Sequence, residues 1–453
     1  MGKLLIMPNS LNLKHYQVLS VEECEHGYHI RAQTTVDPEQ CPHCHALEFV
    51  KFGRKEQLVR DLPIHGKRVG IYVDTKRFRC KSCGRTFLER LPEVDDKRQM
   101  TDRLIQWMGK TSIKKTFASI AEDIGVTEGT VKAVFNDYVN ALEKQVRFET
   151  PQWMGMDEIH LIKPRGVITN IESNTIVDVL PNRNKDTIIK YLQGLENKAS
   201  IKVCAIDMWA PYRDAVKEVL PHASIVIDKF HVVRMANNAL DTVRKSLRAE
   251  LEPKKRRYLK NDRFILLKRR RDLSDQEELI MSGWLNNYPQ LALAYIAKEA
   301  FYEIYDTPNV IEANRRYYAW REMIKPEIAS AYADLICAFE NWQPYILNYF
   351  QHPITNAYTE SINNLIRVMN RLGRGYSFEA LRAKILFSEG AYKIKHKKPK
   401  FKRRFLEQSI GKFAMSYGTS DDSLPSHQHD TILDKINLGV DISTLIELIE
   451  RAG

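Results

Sequence analysis

The stretch Gln152-Trp-Met-Gly-Met-Asp-Glu-Ile-His-Leu-Ile162 has the short, apolar character of a buried β-strand, yet it carries a carboxylate at Asp157. A lone buried carboxylate is costly unless it is paired or bound to a metal ion. Two further carboxylates stand in comparable settings, because Asp207 ends the apolar run 201–206 and Glu360 lies near the start of an amphipathic helix. Three carboxylates that meet at one point can hold divalent metal for phosphoryl transfer. We therefore expect a metal site on this strand.

The residues around this strand have the pattern of an α/β domain, expected over residues 149–235. The predicted elements are, in order, strands at 153–162, 166–173 and 175–180, a helix at 185–196, a strand at 201–207, a helix at 211–220 and a strand at 224–227. Three antiparallel strands followed by alternating helices and strands is the order of the ribonuclease-H-like fold. In that fold the first and fourth strands are neighbours, so Asp157 and Asp207 are expected side by side.

Other acidic residues compete for the same role. Glu158 follows Asp157 directly and should point to the opposite face, because side chains alternate along a strand. Asp228 ends the fifth strand, one position further from Asp157, and is expected at most to support the metal ligands, together with His231. It is equally consistent with the sequence that Asp228 and His231 simply cap a helix.

Four of the seven cysteines form two Cys-x-x-Cys pairs, Cys41/Cys44 and Cys80/Cys83. Two such pairs complete the tetrahedral thiolate shell of one Zn²⁺ ion. With the β-like runs between them, they predict a zinc ribbon in residues 1–95. His43 or His45 could replace a cysteine as a ligand. A zinc ribbon can bind DNA or only stabilise a small core, and the sequence leaves both roles open.

Residues 96–148 have a helix-turn-helix pattern. An apolar-periodic helix ends at Gly125, and a second helix opens at Thr127, the expected N-cap. The second helix of this motif enters the major groove of DNA. The candidates to face DNA are Thr127, Glu128, Thr130 and Lys132. An ordinary helical hairpin has the same pattern.

The charge of the chain favours a polyanionic partner, since the formal net charge is +12 and the basic residues cluster. Residues 236–350 are expected to form a basic helical insertion with candidate phosphate contacts at Lys268, Arg269, Arg270 and Arg271, although such a run also suits a solvated helical face. Residues 351–395 return to the catalytic core with Glu360, and 396–453 form a basic and helical tail. No apolar run approaches the ~20 residues of a membrane span, so we expect a cytoplasmic protein.

Four motifs together make the chain resemble the DDE transposases of bacterial insertion sequences, most closely the ISL3 type: Gly155-Met-Asp-Glu158, Ala205-Ile-Asp-Met-Trp-Ala-Pro-Tyr212, Ile227-Asp-Lys-Phe-His-Val232 and Thr355-Asn-Ala-Tyr-Thr-Glu-Ser-Ile-Asn363. The resemblance covers nearly the whole chain. It implies an α+β multidomain protein with a zinc ribbon, a helix-turn-helix domain and a ribonuclease-H-like catalytic domain interrupted by an α-helical insertion.

The same resemblance implies the reaction. Transposon ends, at terminal inverted repeats in double-stranded DNA, are cut and then joined to target DNA, with Asp157, Asp207 and Glu360 holding Mg²⁺ or Mn²⁺. It also implies a homodimer or larger assembly on DNA and a bacterial, nucleoid-associated location.

Two other functions would use many of these features. A zinc-ribbon and helix-turn-helix regulator without catalysis explains the first 145 residues but leaves the three carboxylates unexplained. A ribonuclease-H-like nuclease or resolvase would cut DNA without joining it. Activity on transposon-end DNA separates the three.

Overall fold

A computed structural model describes residues 11–145 and 150–390. The tail expected at 396–453 lies outside the described residues, as does the end of the segment expected at 351–395. The described residues form two compact units, of which the first takes its residues from Met1–Phe148 and Leu365–Tyr392 and the second from Glu149–Asn364.

The first unit begins with a mostly antiparallel sheet. Its strands are β1 (Tyr16–Glu23), β2 (Gly27–Thr34), β3 (Phe49–Ile64), β4 (Lys67–Cys80), β5 (Thr86–Leu88), β6 (Val94–Asp95) and β7 (Met100–Thr101). They lie in the order β1-β2-β4-β3-β7-β6, and β5 pairs with β4. β3 and β4 are longer than the β-like runs recognised in the sequence, and together they form one hairpin. Its two-residue turn, His65-Gly66, has positive φ angles of 51° and 77°, the conformation that best joins twisted antiparallel strands.

Three helices follow: α1 (Asp102–Ser112), α2 (Phe117–Ile124) and α3 (Glu128–Gln145). α2 ends at Gly125, whose φ of 78° is left-handed and favours glycine. The Thr127 hydroxyl accepts the backbone N–H of Thr130 at 3.2 Å, so Thr127 caps α3 as predicted. The short turn between α2 and α3 therefore has the geometry expected from the sequence.

The second unit contains a five-stranded sheet. Its strands are β8 (Trp153–His160), β9 (Pro164–Asn170), β10 (Thr175–Leu180), β11 (Val203–Ile206) and β12 (Ser224–Ile227), in the order β10-β9-β8-β11-β12. The first three strands are antiparallel, and β11 runs parallel to both β8 and β12. The helices between the strands are α4 (Lys185–Gln193) and α5 (Ala210–Val219). The predicted strands and the predicted pairing of the first with the fourth are confirmed.

Seven helices then follow before the chain returns to β8: α6 (Lys229–Glu250), α7 (Pro253–Asn261), α8 (Arg263–Leu267), α9 (Asp275–Asn287), α10 (Pro289–Tyr305), α11 (Val310–Met323) and α12 (Pro326–Leu347). Their aromatic residues build a core. The rings of Tyr317 and Phe339 stack with centroids 3.8 Å apart, and the Trp320 indole N–H donates to the Ala297 carbonyl at 2.8 Å. In the part of the chain that the structure describes, no helix has the length and apolar character of a membrane span.

The last two helices are α13 (Ala357–Leu372) and α14 (Phe378–Glu389). The division between the two units falls within α13, so α14 groups with the N-terminal unit, whereas the sequence assigned 351–395 to the catalytic core. The physical reason is apolar packing. Ala380, Ala383 and Phe387 of α14 share one core with the buried residues of α1, α2 and α3.

A buried lysine on α14 strengthens this packing. The ammonium of Lys384, only 1% exposed, donates to the carbonyls of Ser112 and Lys115 and lies 4.6 Å from the ring centre of Phe117. We expect Lys384→Met to lower the free energy of unfolding by about 1–3 kcal/mol, because two carbonyls lose their donor. Urea unfolding measures it. Lys110→Met, at an exposed position of α1, is the control and should change stability by less than about 0.5 kcal/mol. Equal effects would mean that the Lys384 contacts contribute nothing.

Candidate active site

Asp157 lies within β8 with only 4% of its surface exposed. Its carboxylate accepts hydrogen bonds from the side-chain amide of Asn363 at 2.9 Å and from the Glu158 N–H at 2.7 Å. The Tyr212 hydroxyl donates to the Asp157 carbonyl at 3.1 Å. The orientation of this buried carboxylate is therefore fixed from α13 as well as from its own strand.

Asp207 lies at the end of the strand next to β8. Ala205 pairs with Gly155 in the parallel register of β11 and β8. Two residues further along the two strands come Asp207 and Asp157, so the sheet aligns the two acids. One Asp207 oxygen, Oδ1, is buried and has no hydrogen-bond partner among the residues described.

Glu360 lies in the first turn of α13. Its Oε1 is 3.5 Å from Nε2 of His231, which comes from the first turn of α6. The negative charge of Glu360 acts on Asp157, so Glu360 belongs to the same cluster. Sheet, α6 and α13 thus each contribute one side of the site.

Buried polar residues fasten the start of α13 to the sheet. The Thr359 hydroxyl lies 2.7 Å from that of Thr169 in β9 and also donates to Asn356, whose amide in turn reaches the Met156 carbonyl at 3.4 Å. Asn356, Thr359 and Asn363 are at most 2% exposed. Sequence reasoning missed these residues. Their spacing of three and four residues, which places them on one helix face, was the signal that could have found them.

Gly155 allows this close approach of α13 to β8. A Cβ atom there would lie 2.3 Å from Asn356 Oδ1 and 2.4 Å from Thr169 Oγ1, which are impossible contacts. We expect Gly155→Ala to displace α13, to lower stability by about 1–3 kcal/mol, and to reduce DNA cleavage by roughly 100-fold, because small displacements of reacting groups are costly. Urea unfolding and a strand-cleavage assay measure the two effects.

Gly283→Ala is the matched control, because a Cβ atom there would meet nothing within 4 Å. Gly283 lies inside α9, where alanine is preferred to glycine by roughly 0.5–1 kcal/mol. This variant should therefore be slightly stabilised and fully active. Cleavage by Gly155→Ala at the rate of the control would refute the importance of the close approach.

Burial disfavours the ionised forms of Asp157 and Asp207. Burial, followed by the charge of Glu360, raises the pKa of Asp157 well above its ordinary value. Burial also raises the pKa of Asp207. Burial lowers the pKa of His231, but the carboxylates of Asp228, Asp157, Glu360 and Asp207 outweigh it, and the net shift is upward. A nearby cation would therefore stabilise the anionic forms of Asp157 and Asp207.

Glu158 and Asp228 take the two positions expected for residues beside the site. Glu158 is partly exposed and pairs with Arg183, whose guanidinium stacks 4.3 Å from the ring centre of Trp209. Asp228 is fully buried and caps α6, with one oxygen accepting the Phe230 N–H at 3.3 Å. Its other oxygen is without a hydrogen-bond partner in the described part of the chain. Asp228 thus caps a helix and also adds charge to the cluster.

The carboxylates have the donor chemistry for a divalent cation. Hard oxygen ligands suit Mg²⁺ and Mn²⁺, and the unpartnered oxygens of Asp207 and Asp228 are buried where only a cation or a donor would satisfy them. The three acids nevertheless stay apart. Among the described residues, only the four cysteines of the N-terminal unit form a group of three or more potential metal ligands whose atoms all lie within 4.8 Å of one another. Mutual repulsion of like charges accounts for the wider spacing of the acids.

Cys41, Cys44, Cys80 and Cys83 form that second site, between the start of β3 and the end of β4. Cys41 Sγ lies 3.9 Å from Cys83 Sγ, and Cys44 Sγ lies 3.6 Å from Cys80 Sγ. Hydrogen bonds from the backbone N–H of Cys83 lower the pKa of the Cys80 thiol, whereas the neighbouring cysteines raise the pKa of Cys44. Cys80 is therefore the member of this group whose thiolate is favoured before metal binds. Neither His43 nor His45 belongs to the cluster. The arrangement has the chemistry of a tetrahedral zinc site.

The residues predicted to contact DNA fall into two groups. Thr127, Glu128 and Lys132 are exposed at the start of α3, and Thr130 is partly exposed with its hydroxyl 3.0 Å from that of Thr127. This surface is open to a ligand.

In the basic run before α9, each cation already has an acidic partner. Lys268 pairs with Glu277, Arg270 with Glu278, and both Arg269 and Arg271 with Asp306. Arg269 is also 9% exposed. Arg270 and Arg271, with side chains 62% exposed, are the arginines of the run that remain open to solvent.

Comparison with known proteins gives a separate family match for each of three parts of the chain. A transposase family model of the ISL3 group matches residues 154–385, the zinc finger of transposase IS204/IS1001/IS1096/IS1165 matches 37–83, and the helix-turn-helix domain of transposase family ISL3 matches 89–139. These matches confirm the predicted zinc ribbon and helix-turn-helix.

Two relatives illustrate the similarity. The transposase for insertion sequence element IS1001 of Bordetella parapertussis is 27% identical over 326 residues, which are 70% of this chain and 80% of the relative. The transposase for insertion sequence element IS1557 of Mycobacterium tuberculosis is 24% identical over 306 residues, which are 61% and 68% of the two chains.

Proposed function

Because the chain belongs to the ISL3 family of insertion-sequence transposases, we propose that it cuts DNA at the ends of its element and joins the 3′ ends to target DNA by metal-dependent phosphoryl transfer. One observation carries this proposal. Asp157 and Asp207 stand at aligned positions of adjacent parallel strands, and Glu360 lies on a helix hydrogen-bonded to the same strand through Asn363. This is a composite acidic site of the kind that a DNA-cutting enzyme requires.

The catalytic unit is proposed to be ribonuclease-H-like. The strand order β10-β9-β8-β11-β12, with three antiparallel strands and two parallel ones, supports this assignment. In this view α6 continues directly from β12, and residues 236–350 are an insertion that separates the sheet from α13. The insertion shares a continuous apolar core with the sheet, so it would hold α6 and its His231 firmly against the site.

Asp157, Asp207 and Glu360 are proposed to hold Mg²⁺ or Mn²⁺, which when bound supplies the charge that activates the attacking oxygen and stabilises the leaving one. The remaining residues orient these ligands. Asn363 fixes the carboxylate of Asp157, and His231 faces Glu360 at 3.5 Å. Glu158 is paired with Arg183.

The first unit is proposed to recognise the terminal inverted repeats in double-stranded DNA. The exposed start of α3, with Thr127, Glu128, Thr130 and Lys132, would read the repeat. In the second unit, the exposed Arg270 and Arg271 would contact phosphate. The two ends of the element must be brought together, so a homodimer or larger assembly on DNA is proposed, in the bacterial cytoplasm at the nucleoid. Zn²⁺ in the four-cysteine site would stabilise the DNA-binding unit.

An assay with DNA that carries the ends of the element tests the proposed function. Purified full-length protein with Mg²⁺ should cut one defined bond at each end and join the liberated 3′ ends to a supercoiled target plasmid. A nuclease or resolvase would cut without forming joined product, and a regulator would bind without cutting. Either of these results would contradict the proposal.

A further inference from the structure

The zinc ribbon has an exposed aromatic side chain that lies outside its apolar cluster. Phe52, in β3, is 49% exposed. The pairing of β3 with β4 is interrupted between Lys51 and Arg54, and Gly53 has a φ of 106°. This bulge turns Phe52 outward, away from the apolar cluster that surrounds the cysteines. The backbone is thus shaped to expose the ring.

Two arginines of β4 flank the exposed ring. The guanidinium carbons of Arg77 and Arg79 lie 5.9 Å and 5.7 Å from the centre of the Phe52 ring. Both side chains are exposed, and Arg77 also donates to the Thr86 hydroxyl at 2.9 Å. Residues two apart on a strand share a face and are roughly 6.6 Å apart. Both guanidinium groups can therefore reach the same ligand.

No ion pair involves either arginine within the described residues, whereas some other cations of the same domain are paired. Arg54 pairs with Asp74, Lys76 with Asp37, and Lys81 with Glu48. Arg77 and Arg79 are held against an aromatic ring and retain their full positive charge towards solvent. Unneutralised cations beside an exposed ring suit a polyanion with flat or apolar parts, which is the chemistry of a nucleic acid.

The cysteine site makes this surface rigid. Between the two arginines, Phe78 points to the opposite face of β4 and packs with Phe49 and Phe87 beside the cysteines. Arg79 directly precedes Cys80. Metal binding at the cysteines would hold the end of β4, and with it both arginines, at fixed positions. The sequence left open whether the zinc ribbon binds DNA, and these contacts favour binding.

We propose that Phe52, Arg77 and Arg79, here called the ribbon platform, form a DNA-binding surface separate from the helix-turn-helix. Arg77 and Arg79 contact phosphates of a DNA duplex, and the Phe52 ring packs against the sugars between them. The inference rests on the proposed function, because it assumes that DNA is the ligand of the whole protein. It gives the zinc ribbon a binding role beyond stabilising its own fold.

The salt dependence of DNA binding tests the ribbon platform. Full-length protein is titrated into a short fluorescein-labelled DNA duplex at several salt concentrations, and anisotropy gives the binding constant. For the variant Arg77→Gln/Arg79→Gln, the slope of log K against log salt should become less steep by roughly 0.9 per lost phosphate contact, or about 1.8. Phe52→Ala should weaken binding by roughly fivefold or more, because apolar contact with the sugars is lost. The slope should not change, because the ring releases no counterions.

Arg54→Gln/Lys81→Gln is the matched control, since it removes two positive charges that are already ion-paired in the same domain. Its slope should stay close to that of the wild type. Equal slopes in the two double variants, or no change in either, would overturn the ribbon platform while leaving the proposed function intact if the wild type still cuts and joins element ends. Wild-type protein that fails to bind or cut end DNA would instead overturn the proposed function.

Discussion

The Asp157→Asn variant is expected to lose DNA cleavage and joining by a factor on the order of 1,000 or more, because a carboxylate that binds the catalytic metal contributes several kcal/mol to transition-state stabilisation. The replacement is nearly isosteric. The asparagine keeps an oxygen that can accept the hydrogen bond now donated by Asn363. It also removes the buried carboxyl group, whose pKa is raised by burial and by the charge of Glu360. The fold should therefore be as stable as that of the wild type, or slightly more so.

A cleavage assay in Mg²⁺ and a binding assay on the same end DNA distinguish a loss of catalysis from a loss of DNA binding. Asp214→Asn is the control, because Asp214 lies on α5, is partly exposed and pairs with Arg213. It should keep full activity. Asp207→Asn and Glu360→Gln should reproduce the loss seen with Asp157→Asn, and combining them should add little, since the three act as one unit. Normal cleavage by Asp207→Asn together with an inactive Asp228→Asn would identify Asp228 as the second ligand instead.

The second large effect is expected in the zinc ribbon. Purified protein should contain one zinc per chain, and Cys80→Ser/Cys83→Ser should contain none, because half of the tetrahedral ligand set is lost. Structural zinc contributes roughly 10–16 kcal/mol in small zinc-binding domains, more than a short β-hairpin end can replace. We therefore expect the ends of β3 and β4 to unfold in this variant.

Elemental analysis gives the zinc content, and limited proteolysis within residues 41–83 reports the unfolding. Cys24→Ser/Cys337→Ser is the control, since both cysteines are exposed and lie outside the four-cysteine cluster. It should retain one zinc and resist protease like the wild type. A zinc content unaffected by the Cys80 and Cys83 replacements would exclude the cysteine site.

Local patterns predicted the elements of this protein well. The apolar run around Asp157 is β8, and Gly125 and Thr127 end and begin helices where their conformational preferences require. These features depend on residues close together in sequence, so periodicity and capping rules capture them. The pairing of β8 with β11 was predicted from the order of elements, which limits the possible topologies.

Features that depend on side chains distant in sequence could not be predicted. Asn363 binds Asp157 across 206 residues. Its spacing from Asn356 and Thr359 indicates a shared polar face, but it does not indicate the partner of that face. The acids that neutralise Lys268 and Arg269, namely Glu277 and Asp306, are likewise recognisable only in three dimensions. A count of positive charges therefore overestimated how much of that run is open to phosphate. The grouping of α14 with the N-terminal unit depends on the same kind of distant packing.

The long stretch of chain between Asp207 and Glu360 also has a consequence for the synthesis of the protein. Synthesis proceeds from the N-terminus and domains fold as they emerge, so the DNA-binding helices and the sheet with Asp157 and Asp207 leave the ribosome before α13 exists. Contacts across such a long stretch of chain also form slowly. α14, which completes the apolar core of α1, α2 and α3, is made after α13. The helical core of the N-terminal unit and the proposed acidic site are therefore both completed by the same late stretch of the chain. Catalytic competence is then among the last properties to appear during biosynthesis.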